Sequence, residues 1–448
     1  MATATSPCRY DLNTVNGKSL APLYSYTKQT DEISEKDVDA LLNGNRLRKK
    51  QWFYKDKTYT IIRYDKKMLS HDLRQTSGLF RSVIINDGKV VCFSPPKSEL
   101  FNKFVQDNSE NMDKGNVRAE EFVEGTMINM FWTGNEWEIA TRSSVGGKVA
   151  FFTDENSLKN KNENTFRWMF LDAISHREAL GEDVDFFKSF DEIPKSYCLS
   201  FVLQHPKNRI VVPFSEPNIY LVAAYSIEDN IVTELSGEPM QELRSKFPDF
   251  VLAPEPVLSY SGFDELYNRF TNSEIDYKIV GAVIKCNGVR TKIRNPAYEN
   301  VRLLRGNQPK LQYRYLMLRS NQKVSEYLKY YPEHSKLFSK YRKMIHDFTK
   351  RLHDNYISCY VKKQAPLHNY STEYRTNMFK IHQKYIDELM PNDRVVTRSI
   401  VIDYVNHLPL QILMHAVNYQ YHKMNKDEKK MDLEKVSQEE TSNMEIDA

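Results

Sequence analysis

A chain of 448 residues with 40% hydrophobic and 12% aromatic residues is long enough for two domains and apolar enough to bury a core in each. No run approaches the roughly 18 uncharged apolar residues of a membrane span, and MATATSPCRY lacks the basic-then-apolar order of a secretory leader, so a soluble intracellular protein is expected. The net charge of +4 is unevenly spread: residues 1–309 hold 40 basic and 42 acidic residues, 310–424 hold 19 and 9, and 425–448 hold 4 and 8. A basic segment over 310–424 suits an anion-facing surface and an ordinary solvated helical surface equally.

Residues 1–48 read as a polar lead-in, with one short helix begun by Ser34 and stopped near Gly44. From Gln51 the pattern turns to strands. WFYKDKTYTIIRYD alternates, and RSVIINDGKVVCFSPPKS carries two apolar runs around Asn86-Asp87-Gly88, a strong hairpin signal. FVEGTMINMFW and NEWEIATRS follow, joined by a turn at Thr133 to Asn135, then an amphipathic helix over 165–174. SYCLSFVLQHPKNRIVV, IYLVAAYSI and YKIVGAVIKCNGVRTKIRN complete a set typical of antiparallel sheets with interspersed helices.

After Pro296 the period changes. Leu337, Tyr341, Ile345, Phe348, Leu352 and Tyr356 recur every three or four residues, one apolar helical stripe. Thr372 to Leu389 and Thr397 to Tyr421 read as further helix, with Pro366, Pro391 and Pro409 interrupting or bounding them. The chain thus divides into a sheet-rich domain over 49–308, a basic helical domain over 309–424 and a disordered acidic tail over 425–448.

The five cysteines, Cys8, Cys92, Cys198, Cys286 and Cys359, include no C-x-x-C pair, so free thiols are expected. Eight of the 11 histidines lie at 334 or beyond, and none falls in a cluster with metal-site spacing. EYLKYYPEHSKLFSKYRK could stack and neutralise single-stranded RNA, although aromatic residues at helical spacing are more often core. No Walker-type loop, G-x-S-x-G or H-E-x-x-H occurs.

The segments KVVCFSPPKS, EFVEGTMINMF, ATRSSVGG and HPKNRIVV, in this order along residues 50–305, resemble the phage-type RNA ligases. That family carries an arginine before a hairpin, a lysine at its end, a K-x-D/E-G-S/T nucleophile motif, a T-K/R-S element, P-x-N-R-I-V and a final K-x-K. The corresponding positions here are Arg81, Lys97, Glu124 with Gly125, Arg142, Asn208 with Arg209, and Lys292 with Arg294. The resemblance implies an α+β fold: a nucleotidyltransferase-type domain of ATP-grasp-like antiparallel sheets with helices, followed by an all-α domain. It also implies those nine residues as a nucleotide or RNA site. A closer likeness, carried by FSPPKS, EGTMIN, SFVLQHPKNRIVVP and EYLKYYPEH, is to RNA-ligase-like proteins of large nucleocytoplasmic DNA viruses, which implies a cytoplasmic or virion setting and other viral proteins as partners.

Three departures fall on the reacting groups. Phe122 stands where the family has its nucleophilic lysine, and an aromatic ring cannot form a phosphoramidate. Val202 and Val280 stand where it has carboxylates that organise metal ions. The expectation is a pseudoenzyme that binds RNA ends or nucleotides, ATP among them, without covalent adenylation, with no catalytic residue, no metal ligand and no Mg2+. Two alternatives remain: a scaffold of a virus particle or multiprotein assembly, and an active ligase with an unorthodox nucleophile such as Lys114, served by a displaced metal ligand at Glu274 or Asp276.

Overall fold

The computed structural model describes residues 8–28, 33–150, 164–175 and 187–419; the tail expected over 425–448 lies outside them. The chain divides into two units, Met1–Arg305 and Gly306–Ala448. The first is a mixed α+β structure in which, among the described residues, all strand pairings but one are antiparallel.

Its strands are β1 (Arg9–Asp11), β2 (Thr14–Val15), β3 (Lys18–Ser19), β4 (Leu47–Tyr54), β5 (Lys57–Tyr64), β6 (Val83–Asn86), β7 (Lys89–Phe93), β8 (Arg118–Glu121) and β9 (Thr126–Trp132). They continue with β10 (Trp137–Thr141), β11 (Ser144–Val145), β12 (Tyr197–Gln204), β13 (Asn218–Glu228), β14 (Ile231–Glu234), β15 (Val251–Leu252), β16 (Gly281–Cys286) and β17 (Val289–Arg294). The largest sheet runs β1-β14-β13-β12-β9-β10-β11, with β15 parallel to β13. A meander β4-β5-β6-β7 and a small sheet β17-β16-β8 complete the frame, with β2 and β3 paired alone.

The large sheet is buried on both faces because its strands are apolar at consecutive positions. Ile128, Met130, Leu199, Phe201 and Leu203 point into a core closed by the helices Phe166–Ser175 and Glu238–Ser245. Their neighbours Phe131 and Cys198 point the other way, onto Tyr59, Ile61, Ile84 and Cys92 of the meander. A buried relay of hydrogen bonds crosses between these layers, from Ser200 Oγ to Asn129 Oδ1 (2.8 Å) and from Asn129 Nδ2 to Ser94 Oγ (2.6 Å). The small sheet packs on helices Phe101–Asp113 and Phe263–Thr271 through Phe104, Phe263, Leu266 and Ile293.

The turn joining β6 to β7 holds Asp87 at φ 47° and Gly88 at φ 69°, the left-handed pair that a tight two-residue hairpin requires. Residues 1–48 require a correction. From Tyr10 onward they are no lead-in: β1 pairs with β14, and Tyr10, Leu12, Val15, Leu20 and Leu23 lie in one core with Phe80, Phe93 and Tyr225. These apolar residues follow neither period and are buried by partners more than 50 positions away, so no local pattern marks them.

Every regular element described in the second unit is helical, with the longest helix spanning Ser335–Tyr356. Its buried stripe starts at Phe338 and continues through Tyr341, Ile345, Phe348, Leu352 and Tyr356, while Leu337 stays half-buried. Tyr327, Tyr331, His334 and Phe338 stack on one another, and both tyrosines are fully buried. These rings are therefore core and are not open to nucleobases. Helix Arg398–Asn406 ends before Pro409, whose missing amide and fixed φ separate it from the next helical stretch at 410–419. Among the described residues no helix is long and apolar enough to cross a membrane.

Candidate anion-binding site

The site is built from the end of the small sheet outward. On β17, Thr291 and Ile293 are buried while Arg290, Lys292 and Arg294 occupy the alternate positions of the other face. Arg290 donates to the carbonyls of Pro95 (3.2 Å) and Pro96 (2.8 Å) and so ties down the loop that carries Lys97. Lys97 is fixed from the other side by its amide, which donates to the Gly78 carbonyl (3.0 Å).

Phe122, just beyond β8, is held by its amide on the Gly281 carbonyl (3.0 Å). Its ring faces the cations of β17, with Lys292 Nζ 4.1 Å and the Arg294 guanidinium 5.5 Å from the ring centroid. Arg294 also pairs with Glu299 (2.8 Å). From the meander side, Arg142 donates through Nε to the Arg81 carbonyl (3.3 Å) and lies over the ring of Tyr64.

These groups feel one another's charge strongly. Burial, followed by the fields of Arg290, Arg81, Arg294 and Lys97, pushes Lys292 well below the ordinary lysine range. Burial and Arg290 bring Arg81 down to about 10. Lys97 is lowered by burial and by Arg74, Arg81, Arg294 and Lys66, and Lys66 by burial and by Arg142, Arg81 and Arg63. Among the described residues, the side chains of Lys66, Arg74, Arg81, Lys97 and Lys292 form no ion pair and donate no hydrogen bond to protein. The buried Nε of Arg63 is likewise unpaired.

The structure thus brings together Arg81, Lys97, Arg142, Lys292 and Arg294, and adds Arg63, Lys66, Arg74 and Arg290. Only part of this addition was findable: R-x-K-x-R over 290–294 places three cations on one strand face. Arg63 reaches the cluster from β5, and Lys66 and Arg74 from the connection between β5 and β6, which no local spacing announces.

Glu124, Gly125, Asn208 and Arg209 are engaged otherwise. The Glu124 carboxylate is buried and accepts from the amides of Val211 (3.0 Å) and Val212 (3.1 Å), with the Tyr298 hydroxyl as a further partner. Burial nevertheless raises its pKa above the ordinary value. Gly125 has φ 152° and passes so close to β12 that a Cβ would stand 2.4 Å from the Leu203 carbonyl oxygen and 2.7 Å from Val202 Cγ1. Asn208 donates to Thr126 Oγ1 (2.9 Å) and Arg209 to the Val211 carbonyl (3.0 Å). Together they pin the segment 205–212 against β9.

Among the described residues the cluster meets a carboxylate at Arg294, through Glu299, and the acids considered from the motifs lie elsewhere. Glu120 is ion-paired with Lys285, and the exposed Asp276 accepts from the Lys278 amide (2.9 Å). Glu274 is exposed, and Lys114 caps an exposed helix end beside Glu110 (3.4 Å). Val202 and Val280 are buried, and no group of three or more His, Cys, Asp or Glu side chains suited to a metal ion occurs among the described residues.

No protein-family model matches the chain, and no curated protein does. Among solved structures, the chain is similar to Naegleria gruberi RNA ligase. A variant of that ligase with AMP and Mn matches at 14% identity and a TM-score of 0.34. The ligase with PPi matches at 12% and 0.34. Each match covers 46% of this chain and 57% of the other, so it spans little more than half of the Naegleria protein.

Proposed function

We propose that this chain is an RNA ligase-like protein that binds RNA ends or nucleotides through its cationic cluster and forms no covalent adenylate. The observation that carries the proposal is the set of Lys66, Arg74, Arg81, Lys97 and Lys292, which repel one another and form no ion pair among the described residues, with Lys292 lying over the ring that stands in the nucleophile's place. Like charges held together in a partly desolvated site cost free energy, and a bound anion offsets that cost. Phosphate oxygens on RNA or a nucleotide are anions of the right chemistry for arginine and lysine donors.

Phe122 offers no amine to attack an α-phosphate. Lys114, the substitute considered from sequence, is bound up with Glu110 on an exposed helix end. The test is anisotropy of a labelled short RNA carrying a 5′-phosphate. Replacing Lys97, Arg142 and Lys292 together by Ala is expected to weaken binding about 100-fold or more, and raising salt to weaken binding to the unaltered protein steeply. Affinity that ignores both changes would sink the proposal. Incubation with labelled ATP and Mg2+ or Mn2+, followed by denaturing electrophoresis, is expected to leave no labelled band; a band would show covalent adenylation and overturn the proposal.

A further inference from the structure

The composition of the cluster goes beyond a general affinity for nucleic acid. A nucleotide in the middle of an RNA chain brings one negative charge, and a terminal monophosphate brings about two, since its second pKa lies near 6. Here five cations whose side chains form no ion pair or hydrogen bond with the described residues, Lys66, Arg74, Arg81, Lys97 and Lys292, are accompanied by Arg63 and Arg142. Exposure differs among them: Lys66 and Lys97 are exposed, while Arg74, Arg81 and Lys292 are half-buried.

Carboxylates do not balance this charge. Glu99 spends one oxygen on Gln75 (3.1 Å), Glu299 serves Arg294 and Arg302, and Asp65 serves Arg48. A divalent cation bound with a phosphate chain needs oxygen ligands from the protein or from the phosphates. Val202 and Val280 provide none, and an added cation would enter a region that already repels positive charge. The ligand that fits is one that concentrates several negative charges in a few ångströms and arrives without its metal.

We infer that the cluster takes a triphosphate group directly, without a divalent cation, the triphosphate belonging either to a free nucleotide or to the 5′ end of an RNA. This inference rests on the anion-binding function proposed above and adds the class of ligand to it. Lysines and arginines here do the neutralising that metal ions do in sites lined with carboxylates, so phosphate number decides affinity and the base contributes little.

The experiment is titration calorimetry of the full chain in EDTA with AMP, ATP and inorganic tripolyphosphate, and with one RNA sequence bearing a 5′-hydroxyl, 5′-phosphate or 5′-triphosphate. Tripolyphosphate and ATP are expected to bind about equally and each at least about tenfold tighter than AMP, as two further charged phosphates gain charge-assisted contacts. Saturating Mg2+ is expected to weaken ATP binding about tenfold by neutralising the ligand. Triphosphorylated RNA binding tighter than ATP would identify an RNA end as the source, and equal affinity a free nucleotide; both support the inference. Lys97→Ala, at an exposed position, serves as the variant that leaves folding intact and is expected to reduce ATP affinity severalfold. AMP and ATP binding equally, or binding that requires Mg2+ or Mn2+, would overturn the inference while leaving the broader proposal standing. Failure of every RNA and nucleotide to bind would overturn both.

Discussion

Phe122 and Glu124 are two residues apart in one motif, yet they belong to opposite kinds of environment. The carboxylate of Glu124 is met by two backbone amides and a phenol, and Gly125 beside it lies close against the β12 backbone. Around Phe122 the reverse holds: Lys292 lies over the ring and, like Lys97, forms no ion pair among the described residues, although its neighbour Arg294 reaches Glu299. The difference separates a fastening from a site. A polar group with all its partners inside the protein holds the fold together; a group whose partners are missing is where an outside ligand improves the free energy.

The largest effect should come from the fastened side. Glu124→Ala leaves the amides of Val211 and Val212 unpaired in a buried place and is expected to cost about 3 kcal/mol of stability in urea denaturation. The anion affinity of the protein that remains folded should change less than about twofold, since the Glu124 carboxylate is committed to Val211, Val212 and Tyr298. A large loss of affinity at unchanged stability would move Glu124 to the ligand side. Next, Gly125→Ala drives a methyl group into the β12 backbone at a φ that side chains avoid, and thermal unfolding should register a loss of about 2 kcal/mol.

On the unfastened side, stability and binding should move in opposite directions. Lys292→Met keeps the packing against Phe122 and removes an unpaired charge, so a gain of about 1 kcal/mol in stability is expected alongside an affinity for ATP about tenfold lower. The pH dependence sharpens this further. Because Lys292 is lowered in the folded state, the unfolded chain binds more protons between that lowered value and about 10.4, and stability rises with pH across the window. Lys292→Met should flatten that part of the curve.

The smallest effect is a fraction of a proton. A bound polyanion favours the charged amine and raises its pKa, so above the value in the free protein binding should take up protons and weaken as pH increases. Calorimetry in buffers of different ionisation heat would measure the uptake; release of protons, or none at any pH in the window, would remove Lys292 from contact with the ligand.

Much of the framework is legible from neighbouring residues. Asn86-Asp87-Gly88 dictates a hairpin because only such residues sit easily at positive φ. The stripe through Tyr341, Ile345, Phe348 and Leu352 dictates a helix with one buried face. The exclusion of an amine at position 122 is likewise written in the residue type. The burial of Leu12, Val15 and Leu20 was not legible, because their partners, Phe80 and Tyr225 among them, are distant in the chain.

The site divides the same way. Arg290, Lys292 and Arg294 share a face by the period of a strand, so their company follows from spacing. Tertiary structure alone decided that Lys66, Arg74 and Arg81 from the other sheet's surroundings would join them, and that Glu124 would turn to the amides of Val211 and Val212 and away from the cations. The physical reason is that charge and hydrogen bonding act through space. A motif specifies which groups are present, while the folded chain settles which of them find partners within the protein and which are left for a ligand.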